Sequence, residues 1–183
     1  MIVADTEHSN QLSKFLEYCR ECQPHSSERI QRFFEGVVCF PYDQELLLQA
    51  YLYLNMSQLF GDCDRLLLFE KPPYGEYTNI GKCDFVYLTK DEHILLIETK
   101  YIDTSASGDT ERKRRNKHRN KVINQVQSLT QTFCDYWEFR PDQIEGAVFT
   151  TDPSIASRSD KANIQSRCIT TQALYEWQNR FDC

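Results

Sequence analysis

Two acids and an amine are the residues in this chain whose types could do chemistry: Asp84, then Glu98 and Lys100 in the triplet Glu98-Thr99-Lys100. A carboxylate pair commonly holds Mg²⁺ together with waters and phosphate oxygens. A lysine beside such an ion can hold or deprotonate an attacking water, or neutralise charge on a pentavalent phosphate. As a string, Asp followed by a distant Glu-x-Lys is loose, and an ordinary Glu and Lys at the fraying end of a surface hairpin would read the same way. Location separates the two: Ile94 to Ile97 is apolar on both faces, and the charges begin where that run stops.

The elements that must position these residues are two strands. Cys83 to Leu88 and Ile94 to Ile97 are rich in β-branched and aromatic residues, whereas Thr89-Lys90-Asp91-Glu92-His93 is polar, which predicts a hairpin. A turn centred on Asp91 sets Val86 opposite Leu96, Leu88 opposite Ile94 and Asp84 opposite Glu98. Period-two alternation then puts Asp84, Glu98 and Lys100 on one face and Thr99 and Tyr101 on the other. Two facing carboxylates repel by about 0.2–1 kcal/mol, and more when buried, so a divalent cation between them is the natural offset.

Asp84 followed by Glu98-Thr99-Lys100 on the next strand resembles the active-site signature of the PD-(D/E)XK nuclease superfamily. The resemblance implies an α/β fold: a restriction endonuclease-like αβββαβ core with a mixed central sheet flanked by helices. It places the Asp on the second strand and the Glu-x-Lys on the third. Cys83 stands where the eponymous Pro would be, a position that varies across the superfamily. It further implies Mg²⁺ or Mn²⁺ held by Asp84, Glu98 and the Thr99 carbonyl, with Lys100 as the catalytic amine. Glu45, in the first turn of the helix before the meander, matches a Glu that reaches the metal, usually through water; a carboxylate serving the helix dipole is the other reading. Gln125 matches a helical Gln that orients water or phosphate, with Gln127 the competing position and an exposed helical Gln the plain alternative.

Composition sets the bounds. With 183 residues, 40% hydrophobic and 26% charged, the chain has the make-up of a soluble globular protein with a real core. The organisation expected is a helical N-terminal extension over 1–42 and a nuclease-like domain over 43–183, together one compact domain. No apolar run approaches the ~20 residues that span a bilayer, and MIVADTEHSN has no signal-peptide layout; an intracellular protein, cytoplasmic or nuclear, is expected. The cysteines at 39, 63, 83, 134 and 168 are expected to be reduced and buried. Cys19-Arg20-Glu21-Cys22 with His25 has ligand spacing but no fourth partner, and two helix-borne thiols are the favoured reading.

The net charge of −6 argues against a surface that binds nucleic acid indiscriminately. The charge is uneven, however. Residues 111–121 hold Arg112, Lys113, Arg114, Arg115, Lys117, Arg119 and Lys121 against one Glu. These side chains, entering a helix just after the third strand, are candidates for holding nucleic-acid phosphates; a solvated loop or a localisation signal are the alternatives. Elsewhere the expected elements are two short helices packed as a hairpin over residues 10–36, a helix from Gln44 to Phe60, a strand from Arg65 to Glu70, a helix from about Arg115 to Trp137, a strand from Ile144 to Asp152, a short strand near Cys168 and a helix from Thr171 to Arg180. Glu70 ends its strand within possible reach of the metal or simply in solvent, and Tyr74 and Tyr77 occupy a loop expected beside the substrate.

The function expected is metal-dependent hydrolysis of phosphodiester bonds in nucleic acid, DNA favoured over RNA, with a homodimer suited to cutting both strands of a duplex. The alternative is a non-catalytic binding module for nucleic acid or protein that keeps the nuclease fold.

Overall fold

The computed structural model describes residues 2–22, 25–74 and 81–181, with side chains from residue 6. Two helices, α1 (Ile2–Cys22) and α2 (Ser27–Cys39), lead into α3 (Gln44–Leu54) and the single turn α4 (Met56–Leu59). Strands β1 (Cys63–Lys71), β2 (Cys83–Thr89) and β3 (Ile94–Lys100) follow, then α5 (Asp109–Trp137) and β4 (Ile144–Thr150). A four-residue helix α6 (Ala156–Ser159), strand β5 (Gln165–Cys168) and helix α7 (Thr171–Gln178) complete the order.

The sheet runs β1-β2-β3-β4-β5. Its first three strands form an antiparallel meander, and β4 and β5 each join in parallel. A parallel pair needs a long crossover, and α5 is that crossover between β3 and β4. The succession α3-β1-β2-β3-α5-β4 is the αβββαβ order of a restriction endonuclease-like core. The hairpin register is the predicted one: Phe85 pairs with Ile97, Val86 with Leu96, Tyr87 with Leu95 and Leu88 with Ile94. Glu92 takes a left-handed conformation (φ 62°) to close the turn.

Alternation splits the hairpin between two cores. Phe85, Tyr87, Leu95 and Ile97 pack with α2, α3 and α7 through Phe34, Leu48, Leu52 and Leu174. Val86, Leu88, Ile94 and Leu96 pack with α1 and α5 through Phe15, Leu129 and Phe133. The sheet is covered on both faces, which is why its central strands read as apolar runs. At Gly146 on β4 a Cβ would lie 2.5 Å from a Val126 methyl, so glycine is what lets α5 seat closely on the sheet. Among the described residues, no helix is long and apolar enough to cross a membrane.

Several expectations need correction. Helices α1 and α2 do not pack on each other as a hairpin; their buried residues fall in different clusters, on opposite faces of the sheet. The expected helix from Gln44 to Phe60 breaks at Asn55, whose side-chain amide and backbone N–H both donate to the Tyr51 carbonyl, an Asn competing locally with the helix ladder. Helix α5 starts six residues before Arg115, stabilised by acids at its first turn and by the Arg112–Asp109 and Arg114–Glu111 pairs at i,i+3. Cys39 is disulfide-bonded and Cys168 exposed, against the expectation of reduced, buried thiols. Cys19 is a free, buried thiol, and burial pushes its pKa far up. Tyr74 is fully buried, its hydroxyl donating to the Leu129 carbonyl, so it faces the core and not a substrate; Tyr77 lies outside the described residues.

Candidate active site

Three elements converge where β3 leaves its apolar run. β2 brings Asp84, β3 brings Glu98, Thr99 and Lys100, and the first turn of α3, capped by Asp43 on the Leu46 N–H at 2.7 Å, brings Glu45.

Asp84 is not laid out as a simple cross-strand partner of Glu98. The ladder ends at the Phe85–Ile97 pair, and the Asp84 carboxylate turns in to accept from the Thr99 N–H (2.7 Å) and the Thr99 hydroxyl (2.6 Å). The expectation that Asp84 and Thr99 occupy opposite faces is therefore overturned, because one carboxylate oxygen satisfies two donors at the strand end that would otherwise lack partners. Cys83 departs from alternation too: it joins the Val86 side of the sheet, with its thiol donating to the Phe85 carbonyl at 3.2 Å. Thr99 is held from the other side by Gln49, whose amide donates to the hydroxyl at 3.3 Å.

Glu98 is buried, and its carboxylate accepts from the Gln125 amide at 3.4 Å. Its second oxygen, Oε1, is buried without a hydrogen-bond partner. Burial first, and the Asp84 charge second, push the Glu98 pKa up to about 8. Asp84 is also raised, by burial that outweighs its two Thr99 bonds. A buried acid with an orphaned oxygen beside a half-buried one, both raised in pKa and the Asp84 charge helping to raise Glu98, form a donor set short of positive charge, which a divalent cation fits.

Lys100 reaches away from Glu98 to Glu45, with Nζ 2.5 Å from Oε2. The same Glu45 oxygen accepts the Tyr101 N–H at 3.3 Å. Glu45 is thereby committed to Lys100, and among the described residues no three His, Cys, Asp or Glu side chains gather as a ready ligand cluster. Glu45 still faces the site electrostatically, since its charge contributes to the raised pKa of both Asp84 and Glu98. Exposed Glu70, at a left-handed φ of 48°, adds its charge to Asp84 from the end of β1.

Beside Lys100 lies a cleft of about 420 Å³ that Glu45, Tyr101, Arg114, Arg115 and His118 line. A hollow of about 500 Å³ between α1, α2 and β1 shares none of these residues. His118 and Gln49 were not singled out in the sequence. The signals were helical spacing: Gln49 lies one turn beyond Glu45, and His118 one turn beyond Arg114 and Arg115. Burial, then the Lys100 charge, lowers the His118 pKa.

The basic run divides on inspection. Arg119 is a structural residue: it is mostly buried and forms an ion pair at 2.5 Å with Asp152, whose side chain is 1% exposed. This corrects its expected nucleic-acid role, since a side chain locked to the end of β4 is not available to phosphates. Arg112 and Arg114 pair with Asp109 and Glu111, and Arg115 donates to the Ala106 carbonyl at 2.7 Å. Lys113, Lys117 and Lys121 are exposed. Gln127 is exposed as well, and it is the Gln125 amide that meets Glu98.

No protein-family model matches the sequence, and no curated protein matches it. Among solved structures the chain is similar to EndoMS in complex with double-stranded DNA, at 12% identity over 70% of this chain and 48% of that one, with a TM-score of 0.46. It is similar to a repair endonuclease from Pyrococcus abyssi at 14% identity over 70% and 48%, TM-score 0.45, and to EndoMS in apo form at 12% over 70% and 47%, TM-score 0.44. The chain spans about half the length of these structures. Its αβββαβ order stands on its own strand register and connections.

Proposed function

We propose that this chain is a metal-dependent nuclease that hydrolyses phosphodiester bonds, in DNA in preference to RNA. The observation that carries this reading is the pair of half-buried Asp84 and buried Glu98, both raised in pKa, with Glu98 Oε1 unpartnered and Lys100 two residues on. Asp84 and Glu98 would hold Mg²⁺ or Mn²⁺, with the Thr99 carbonyl a further ligand. Such an ion supplies positive charge against the phosphate oxygens and acidifies water at neutral pH.

The protein's own residues do the rest. Thr99 fixes the Asp84 carboxylate through two short hydrogen bonds, so the pair needs little reorganisation when an ion enters. Gln125 orients the Glu98 carboxylate from α5. Lys100 faces the cleft and is aimed by Glu45, where its ammonium orients the attacking water and the phosphate it attacks in line. Arg114, Arg115 and His118 line the same cleft together with Asp43, Glu45 and Asp103. Cutting both strands of a duplex would require two such sites, for which a symmetric homodimer is the simplest arrangement.

The test is cleavage of labelled DNA with Mn²⁺ or Mg²⁺ by the wild type, Asp84→Asn and Lys100→Ala. Wild-type cleavage, lost by at least about a hundredfold in each variant with folding and DNA binding retained, is the expected outcome. Full activity in either variant removes the mechanism, and a wild type that binds DNA without cutting it would make the chain a binding module.

A further inference from the structure

The long crossover helix has a face that the candidate active site does not use. Lys113, Lys117 and Lys121 recur every fourth residue, so they stack along one side of α5 about 6 Å apart. Asn116, Asn120 and Asn124 repeat with the same period between them. Together with Gln125 and Ser128 they line a shallow trough of about 780 Å³ that contains no carboxylate, in a chain with 27 acids against 21 basic residues. A carboxylate-free stripe on an acidic protein points to an anionic partner.

The amides are presented with one polarity. Arg158, from α6, donates to the side-chain oxygens of both Asn116 and Asn120, and Arg119 donates to Asn116 as well. With their acceptors engaged, these asparagines have N–H groups left to offer, and Arg158 adds one further positive charge behind them. The trough also has a direction. Its C-terminal part, which Asn124, Gln125 and Ser128 line, meets the site through Gln125, whose amide donates to Glu98 at 3.4 Å.

We propose that this lysine–asparagine face, backed by Arg158, is the track on which the phosphodiester backbone of one DNA strand lies as it runs into the Glu98 end of the site. The inference rests on the nuclease reading and deepens it: substrate contact passes from the arginines of the basic run, which are engaged in local bonds, to three lysines and a set of amide donors. Contacts of this kind go to phosphates and carry no base specificity.

The experiment is equilibrium binding of a fluorescent DNA duplex to the full chain in chelator, over a salt series, by wild type and by the triple variant Lys113→Gln, Lys117→Gln, Lys121→Gln. Glutamine keeps helix propensity at exposed positions, and matched thermal melts confirm the fold. A second triple variant, Lys14→Gln, Lys90→Gln, Lys161→Gln, removes the same charge from exposed positions elsewhere. Each phosphate contact contributes a slope of about 0.9 in log K against log salt, so the α5 variant is expected to flatten the dependence by about 2.7 and to forfeit about fortyfold of the affinity change between about 50 and 200 mM salt. The control triple is expected to leave the slope near that of the wild type. An unaltered slope in the α5 variant, or equal flattening in the control, overturns the track. Cleavage by the wild type with Mn²⁺ is scored separately and distinguishes that result from failure of the nuclease reading; a wild type that neither binds nor cuts overturns both.

Discussion

Glu98 is the side chain whose environment is most at odds with its charge. Its native pKa of about 8 lies above the ordinary value of 4.5, so between those values the folded protein holds a proton that the unfolded chain releases. The stability this group contributes is full below about pH 4.5 and is lost as pH rises through about 8. Asp84, raised in the same direction, adds to the trend. In chelator, the urea midpoint of the wild type should fall between about pH 5 and about pH 9, and Glu98→Gln should flatten that fall by a few kcal/mol; identical profiles would show that Glu98 titrates normally. The residues of this site were legible because Asp and Glu-x-Lys stand at the end of an apolar run. The Asp84 turn toward Thr99 was not, since period-two alternation says nothing of donors freed where a ladder stops. The Glu45–Lys100 pair joins residues 55 apart, and no local pattern encodes such a contact.

At the scale of elements, the site depends on how α5 is pinned between β3 and β4. Gly146 permits close approach, and the Arg119–Asp152 pair ties the helix to the residue two beyond β4. Breaking a buried pair leaves an uncompensated charge at a cost of about 3–5 kcal/mol. Asp152→Ala should therefore destabilise by about that amount in chemical denaturation, whereas Arg112→Ala, whose partner is exposed, should cost under about 1 kcal/mol; equal costs would contradict the division of the basic run into structural and free residues. The hairpin register was readable because the polar turn centred on Asp91 fixes it, and the helix of α5 because Val122, Val126, Leu129 and Phe133 recur with its period. Which basic residues face solvent was not readable, because Asp152 lies 33 residues from Arg119 and its burial is decided by the sheet.

For the molecule as a whole, the N-terminal helices are part of the core. Phe15 of α1 is fully buried, with its ring 4.9 Å from Phe133 and 5.2 Å from Trp137 of α5. Phe15→Ala should cost about 3–5 kcal/mol and lower a single unfolding transition; a small effect, or a separate transition for α1, would make it an appendage. The apolar spacing at Leu12, Phe15 and Cys19 marked α1 as a helix, but the hairpin with α2 that was expected of it is not formed, since an amphipathic stripe names no partner. Both cores thus brace the hairpin whose end carries the acids. The most direct test of that arrangement is calorimetric titration of the full chain with Mn²⁺. Saturable binding is expected that releases protons, tightens as pH rises toward about 8 as Glu98 ionises, and disappears in both Asp84→Asn and Glu98→Gln. Binding that survives both substitutions, or no binding by the wild type at millimolar Mn²⁺, would contradict it.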